Sequence, residues 1–235
     1  RTMSTNRLGT LSAALVGIGW GAAIAINLIF WLPQHLDPSF WDNGEQFLSF
    51  VRDNTLTWRA FHVGATSGLM ALLFLIGLLA NLDENDPRRM AFTLVGAIGA
   101  FAALLASLID HLGTPVLARL AAGNSLIVLQ IWQFVEPWRD AGLKTVSYWF
   151  LGIWALWIGG RWLAQSTRGL GRFSQVMGIA LLLLALIESM VPQPLIYTLG
   201  ETGVGAAVFL LLPIWGFWAA RWFWERELAD FAAND

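Results

Sequence analysis

Two apolar runs of about 20 residues, Phe61–Leu82 and Met90–Ile109, are separated only by the polar turn Asp83-Glu-Asn-Asp-Pro-Arg-Arg89. At about 1.5 Å per residue, each run can cross a hydrocarbon core about 30 Å thick. The turn carries charges and a proline and therefore belongs in water, so the two runs form an antiparallel hairpin of membrane helices. His62 precedes Asp83 by 21 residues and His111 follows Met90 by 21. The hairpin thus carries both imidazoles to nearly the same depth, at the far membrane face.

The remaining sequence has the same character. Of 235 residues, 57% are hydrophobic and 13% charged, and the mean hydropathy is +0.60, well outside the range of soluble domains. We expect an all-α membrane protein, a single membrane domain over residues 1–235, with six transmembrane spans near 8–31, 61–82, 90–109, 145–163, 173–191 and 199–223. The first run is too long for a signal-peptide core and lacks an Ala-x-Ala-like site, so it reads as a retained span. Interfacial helices are expected between spans 1 and 2, and interfacial or re-entrant ones between spans 3 and 4. In the first, Asp37-Pro38 has the form of a cap and first helical position, and Phe47, Phe50 and Val51 share one side of a short turn. In the second, Thr114-Pro115 opens a helix that Gly123 ends, and Asn124 caps another that runs to Glu136-Pro137. Arg119, Gly123, Asn124, Gln130 and Gln133 break the apolarity of residues 112–143, which argues against a seventh span.

With six spans, one side receives Arg1, Arg7, Arg88, Arg89, Arg161, Arg168, Arg172, Arg221 and Arg226, nine basic residues, and the other receives Arg52, Arg59, Arg119, Arg139 and Lys144, five. The positive-inside rule then puts both termini in the cytoplasm, in what we expect to be a bacterial inner membrane. Trp31, Trp41, Trp58, Trp138 and Trp149 mark the outer interface and Trp162, Trp222 and Trp224 the inner one.

His35, His62 and His111 all fall on the outer side. Neutral imidazoles there can bind haem iron, a chlorophyll magnesium or another metal, and His62, His111 and Asp110 could together supply a facial ligand set. Interfacial histidines also bond simply to water, headgroups or backbone, and matched depth is partly automatic in a hairpin with equal arms. No cofactor is required by the sequence. Glu188, sixteen residues after Arg172, should sit about 24 Å across the membrane. A carboxylate there is protonated, paired or turned toward a polar cavity; Arg52, Arg59 and His111 are the candidate partners, and Asn27 and Glu136 occupy the same outer half. Glu201, by contrast, has capping-box spacing from Thr198.

Gly17-x-x-x-Gly21, Gly64-x-x-x-Gly68, Gly96-x-x-x-Ala100 and Gly216-x-x-x-Ala220 permit close helix approach, within the bundle or with a partner protein. Pro213 cannot donate to the carbonyl of Phe209, so a mild kink is expected in the last span.

Several functions are disfavoured. The lack of cysteine excludes disulfides, thiolate metal sites, Cys-x-x-Cys-His haem attachment and cysteine nucleophiles. The one lysine, Lys144, lies at a helix boundary rather than mid-membrane, where a retinal Schiff base would need it. No His-Glu-x-x-His, Gly-x-Ser-x-Gly or P-loop pattern occurs, so no catalytic residue is assigned. Pro213 has no counterpart in span 3, which counts against a transporter of inverted repeats. A formal charge of −2 gives no reason to expect nucleic acid.

The long segment between spans 3 and 4, the basic turn Arg168-Gly-Leu-Gly-Arg172, and the aromatic last span Leu-Leu-Leu-Pro213-Ile-Trp-Gly-Phe-Trp-Ala-Ala-Arg221 are similar to those of a bacterial family of six-span membrane proteins of unknown function. The resemblance covers most of the chain; it implies a six-span fold and brings no activity with it. The sequence is thus read as an accessory or structural subunit rather than an enzyme, packing against lipid and other membrane proteins, for example in an energy-transducing complex. The alternatives are a haem- or chlorophyll-type cofactor module using the outer histidines and a small-molecule binder or transporter built around Glu188.

Overall fold

A computed structural model describes residues 4–34, 43–82, 86–123, 125–165, 167–190 and 205–232. Among these residues every regular element is helical and there is no strand. The helices are α1 (Thr5–Ile26), α2 (Gly44–Asp53), α3 (Thr55–Leu79), α4 (Arg89–Leu108), α5 (Thr114–Ala121), α6 (Ser125–Pro137), α7 (Thr145–Ala164), α8 (Arg168–Met190) and α9 (Ala206–Ala232). His35, Asp37-Pro38, Asn124 and Glu201 lie outside the described residues.

Local chemistry sets several ends. The Ser4 hydroxyl accepts from the Arg7 amide and so caps α1, and the Asn43 side chain accepts from Gln46 and caps α2. Pro115, in the first turn of α5, gives up an N–H that a helix start does not need. α9 continues through Pro213. The turns expected at Thr114-Pro115, Gly123 and Pro137 do bound α5 and α6. These helices are not separate pieces, however. A π-helical turn, Ile109–Gly113, joins α4 to α5, and another, Trp138–Lys144, joins α6 to α7. A third, Asn27–Trp31, extends α1.

The six long helices stand side by side in the order α1, α3, α4, α7, α8, α9, and α9 returns to α1 to close the ring. Each runs opposite to its neighbours. Ser4 and Asn6 bond Glu227 and Asp230 at 3.3 and 2.7 Å, so α1 begins where α9 ends. Thr66 and Ser107 share a hydroxyl bond of 2.9 Å between α3 and α4. Asp86, ahead of α4, meets Arg161 late in α7, and Thr145 at the start of α7 meets Glu188 late in α8. Ser4, Asp86, Arg161 and Glu227 therefore share one end, here called proximal; α2, α5 and α6 cover the distal end.

Tryptophans fill the ring. Trp154, Trp162 and Trp215 are fully buried with Leu75, Ile76, Leu79 and Phe223. Trp215 lies 6.0 Å from both Trp154 and Trp162 and donates its indole N–H to Ser174 at 2.8 Å. The outward faces are apolar instead of polar: Ile18, Met70, Phe74, Ile98, Phe101, Ile179 and Ile214 are all exposed. Such an inside-out surface suits lipid. Helix association in lipid relies on close packing more than on water exclusion, and the glycines supply it. A Cβ on Gly159 would stand 2.7 Å from the Gly171 carbonyl oxygen, and one on Gly19 would stand 2.5 Å from that of Gly64. Gly17, Gly64, Gly68, Gly96 and Gly216 are all used for contacts inside the bundle, whereas Gly21 faces open space.

Five helical stretches are long and apolar enough to cross a membrane: Thr5–Gln34, Thr55–Leu79, Arg89–Ala121, Arg168–Met190 and Ala207–Asp230. α7 is of similar length but is not among them; it is rich in aromatics, with Tyr148, Trp149, Trp154, Trp157 and Trp162, and carries Arg161 in its last turn. It packs between α4 and α8.

A second core caps the distal end. α2 buries Phe47, Leu48, Phe50 and Val51 and exposes Glu45, Gln46, Arg52 and Asp53. Its apolar face meets Trp31, Trp58, Ala118, Val128 and Trp132.

Candidate functional site

The distal polar cluster starts from a backbone irregularity. In the π turn after α4, the amide of Thr114 bonds the carbonyl of Ile109. The next bond in that register would come from residue 115, a proline, which has no N–H to give. The Asp110 carbonyl instead accepts the indole N–H of Trp58 at 2.8 Å. A buried carbonyl that lost this donor would cost about 1–3 kcal/mol, so Trp58 fixes α3 against the turn.

The Asp110 side chain points inward, 7% exposed, and accepts from Thr114 Oγ1 at 3.2 Å and from Arg139 Nη1 in a short charge-assisted bond. Arg139, 9% exposed, also donates through Nη2 to Glu136 at 3.2 Å. Asp110 and Arg139 sit in two different π turns, which widen their helices where these side chains must turn toward each other. π turns of this kind recur at functional sites. The pair lies close to level because the turn at Ala122–Gly123 folds α5 back on α6.

His62 is next to this cluster. Its ring lies 4.6 Å from that of Trp58 and 5.0 Å from that of Phe61, and the residue is 5% exposed. Neither ring nitrogen has a hydrogen-bond partner among the described residues. Asp110, Arg139, Lys144 and His111 lie within electrostatic range. The Trp58–Asp110 and Thr66–Ser107 bonds fix the α3–α4 register, so His62 and His111 come level to within about one turn. They do not converge with Asp110, which faces Arg139 and Thr114. Among the described residues no three His, Asp or Glu side chains are grouped to hold a metal ion.

Glu188 accepts from Thr145 Oγ1 at 2.9 Å, joining α8 to α7. Arg52, one of the partners expected for it, bonds Ser49 and Asp53 instead. Asn27 joins neither acid; it is exposed on the π turn of α1, a helix that packs on α3 and α9. Beside Glu136 and Arg139 a groove of about 400 Å³ runs between α5 and α6, lined chiefly by Leu112, Val116, Leu117, Ile131 and Val135 with Thr114 at its floor.

Sequence reasoning missed Arg139 as the partner of Asp110. The signal was there: in a hairpin turning at Gly123, positions 110 and 139 stand at similar distances on either arm. It also missed Asp86 at the proximal end. That carboxylate accepts from the Arg88 amide at 2.9 Å, from Arg88 Nε at 3.2 Å, and faces Arg161 Nη1 at 3.3 Å. The amide bond from Arg88, followed by its guanidinium, holds the Asp86 carboxyl below its ordinary value of 3.8.

Comparison with family models, curated proteins and solved structures found no match. The resemblance to a six-span family therefore draws no support from them, and the functional reading rests on geometry.

Proposed function

We propose that the chain is a six-span integral membrane protein, α7 being the fourth span and completing the six, that serves as an accessory or structural subunit and packs against other membrane proteins. The proximal end holds the larger share of arginines, which favours a cytoplasmic location for it and for the ends of α1 and α9. The filled, tryptophan-lined interior suits a structural role better than a transport path.

The observation that carries this reading is the outer face of the α5–α6 hairpin. Counting from Arg89, about 20 residues exhaust a 30 Å hydrocarbon core near Leu108–Ile109. The hairpin continues beyond that level, yet Leu112, Val116, Leu120, Ile127, Ile131 and Phe134 on it are exposed. α2 covers instead the side that carries Ala118, Val128 and Trp132. An apolar face of this size outside the hydrocarbon calls for a protein cover. A photo-crosslinking residue at Phe134, activated in native membranes, is expected to yield a discrete protein–protein adduct. Adducts with lipid alone would remove the reading.

A second reading is favoured by one feature, the partnerless nitrogens of buried His62: a cofactor-binding module. Haem or chlorin bands in the purified protein that disappear in His62→Ala would support it, and a featureless visible spectrum would end it.

A further inference from the structure

We infer that the partner of the α5–α6 face is a second copy of this chain, in a two-fold dimer whose axis runs along the membrane normal. The inference rests on the accessory-subunit reading only in taking this face to be covered by protein, and names the occupant of the same surface.

Three features favour a copy over an unrelated protein. The face carries both a ridge and a hole. Ile127, Ile131 and Phe134 recur along α6 at helical spacing and Trp138 continues the row into the π turn that follows, and the groove of about 400 Å³ lies directly beside them. An isologous interface needs this self-complementarity, because every knob must find its hole on an identical surface. The heights also agree. Two copies in one membrane keep the same level, so a knob can enter only a hole at its own height. Phe134, 70% exposed, sits between the groove residues Ile131 and Val135 and meets that condition. Finally, the exposed apolar side chains of the hairpin amount to roughly 900 Å² per copy, against about 800 Å² per partner in a stable complex. Exposed Arg119, Gln130 and Gln133 supply a polar rim. Arg139 and Glu136, which line the groove, are paired with each other, so closing the interface strands neither charge.

Phe134 of each copy therefore fills the groove of the other, as the central aromatic anchor. The test uses the purified full-length protein in nanodiscs, with mass read by light scattering and proximity read by disulfide trapping, which the cysteine-free chain makes clean. The wild type is expected at twice the chain mass. Phe134→Glu, whose helical spectrum and melting must match the wild type, is expected to weaken dimerisation at least 30-fold, the loss of even one of the two hot-spot anchors. At protein densities raised to offset the lost anchor, oxidising a mixture of Phe134→Cys and Val116→Cys chains is expected to give a covalent dimer, and Ile18→Cys chains none. A wild type that stays at single mass while position 134 crosslinks to a different protein in native membranes overturns the second-copy inference and leaves the accessory-subunit reading standing. Crosslinks from position 134 to lipid alone overturn both.

Discussion

At Asp110 two needs are met by different atoms of one residue. Its carbonyl, left without a helical donor by Pro115, is served by Trp58, and its carboxylate is served by Arg139 and Thr114. Removing one partner of a buried ion pair leaves the other charged and dry, which typically costs 3–5 kcal/mol. Arg139→Ala should therefore lower unfolding stability in detergent by about 3–5 kcal/mol. Joint replacement with leucine at 110 and 139 should lose clearly less than the two single changes added together. Additive losses would mean the pair does not act as a unit. Asp86 gives a pH test. Its carboxyl titrates lower in the folded protein than its ordinary 3.8, so the stabilisation is complete above that value and is lost as pH falls through the lowered one. The stability gap between wild type and Asp86→Asn should be present near neutral pH and close in acid below 3.8; a gap independent of pH would contradict the assigned contact. Of these residues the sequence marks Asp110 as a neighbour of His111 and a candidate metal ligand beside the histidines, not as the partner of Arg139. A 3.6-residue period does not foresee a π turn, and the two π turns are what bring the Asp110 carboxylate and Arg139 together.

Helix packing is where sequence spacing and contact can be separated. Gly159 and Gly160 are adjacent in α7, but a Cβ on Gly159 would press within 2.7 Å of the Gly171 carbonyl, while one on Gly160 meets nothing within 4 Å. Gly159→Ala should destabilise by about 1–3 kcal/mol through overpacking. Gly160→Ala should be neutral or stabilising by up to about 1 kcal/mol, the helix-propensity difference. Equal effects in thermal unfolding would refute the α7–α8 contact. The close α7–α8 approaches at Gly152–Gly178 and Gly159–Gly171 follow no Gly-x-x-x-Gly pattern within either helix, so spacing alone carries no signal of them. The ends of α5 and α6 were legible from Thr114-Pro115, Gly123 and Pro137, since proline and glycine act locally. Their continuity with α4 and α7 was not, because it depends on wide turns that those same prolines ordinarily argue against.

For the whole molecule, apolar run length was sufficient to show the helical hairpin of α3 and α4, and the Trp58–Asp110 and Thr66–Ser107 bonds bear out its register. Ring closure through α1 and α9, by contrast, lies between residues more than 200 positions apart, which no local pattern reports. α7 is the element on which the span count turns, being long, rich in tryptophan and packed between α4 and α8. Single cysteines introduced into this cysteine-free chain decide it by their reaction with an impermeant maleimide. Cysteines at Gln46 and Leu126 should react from the outside of intact cells, and cysteines at Gln165 and Arg226 only after the membrane is opened. Labelling of positions 126 and 165 from the same side would mean that α7 does not cross the bilayer, and the six-span account would be wrong.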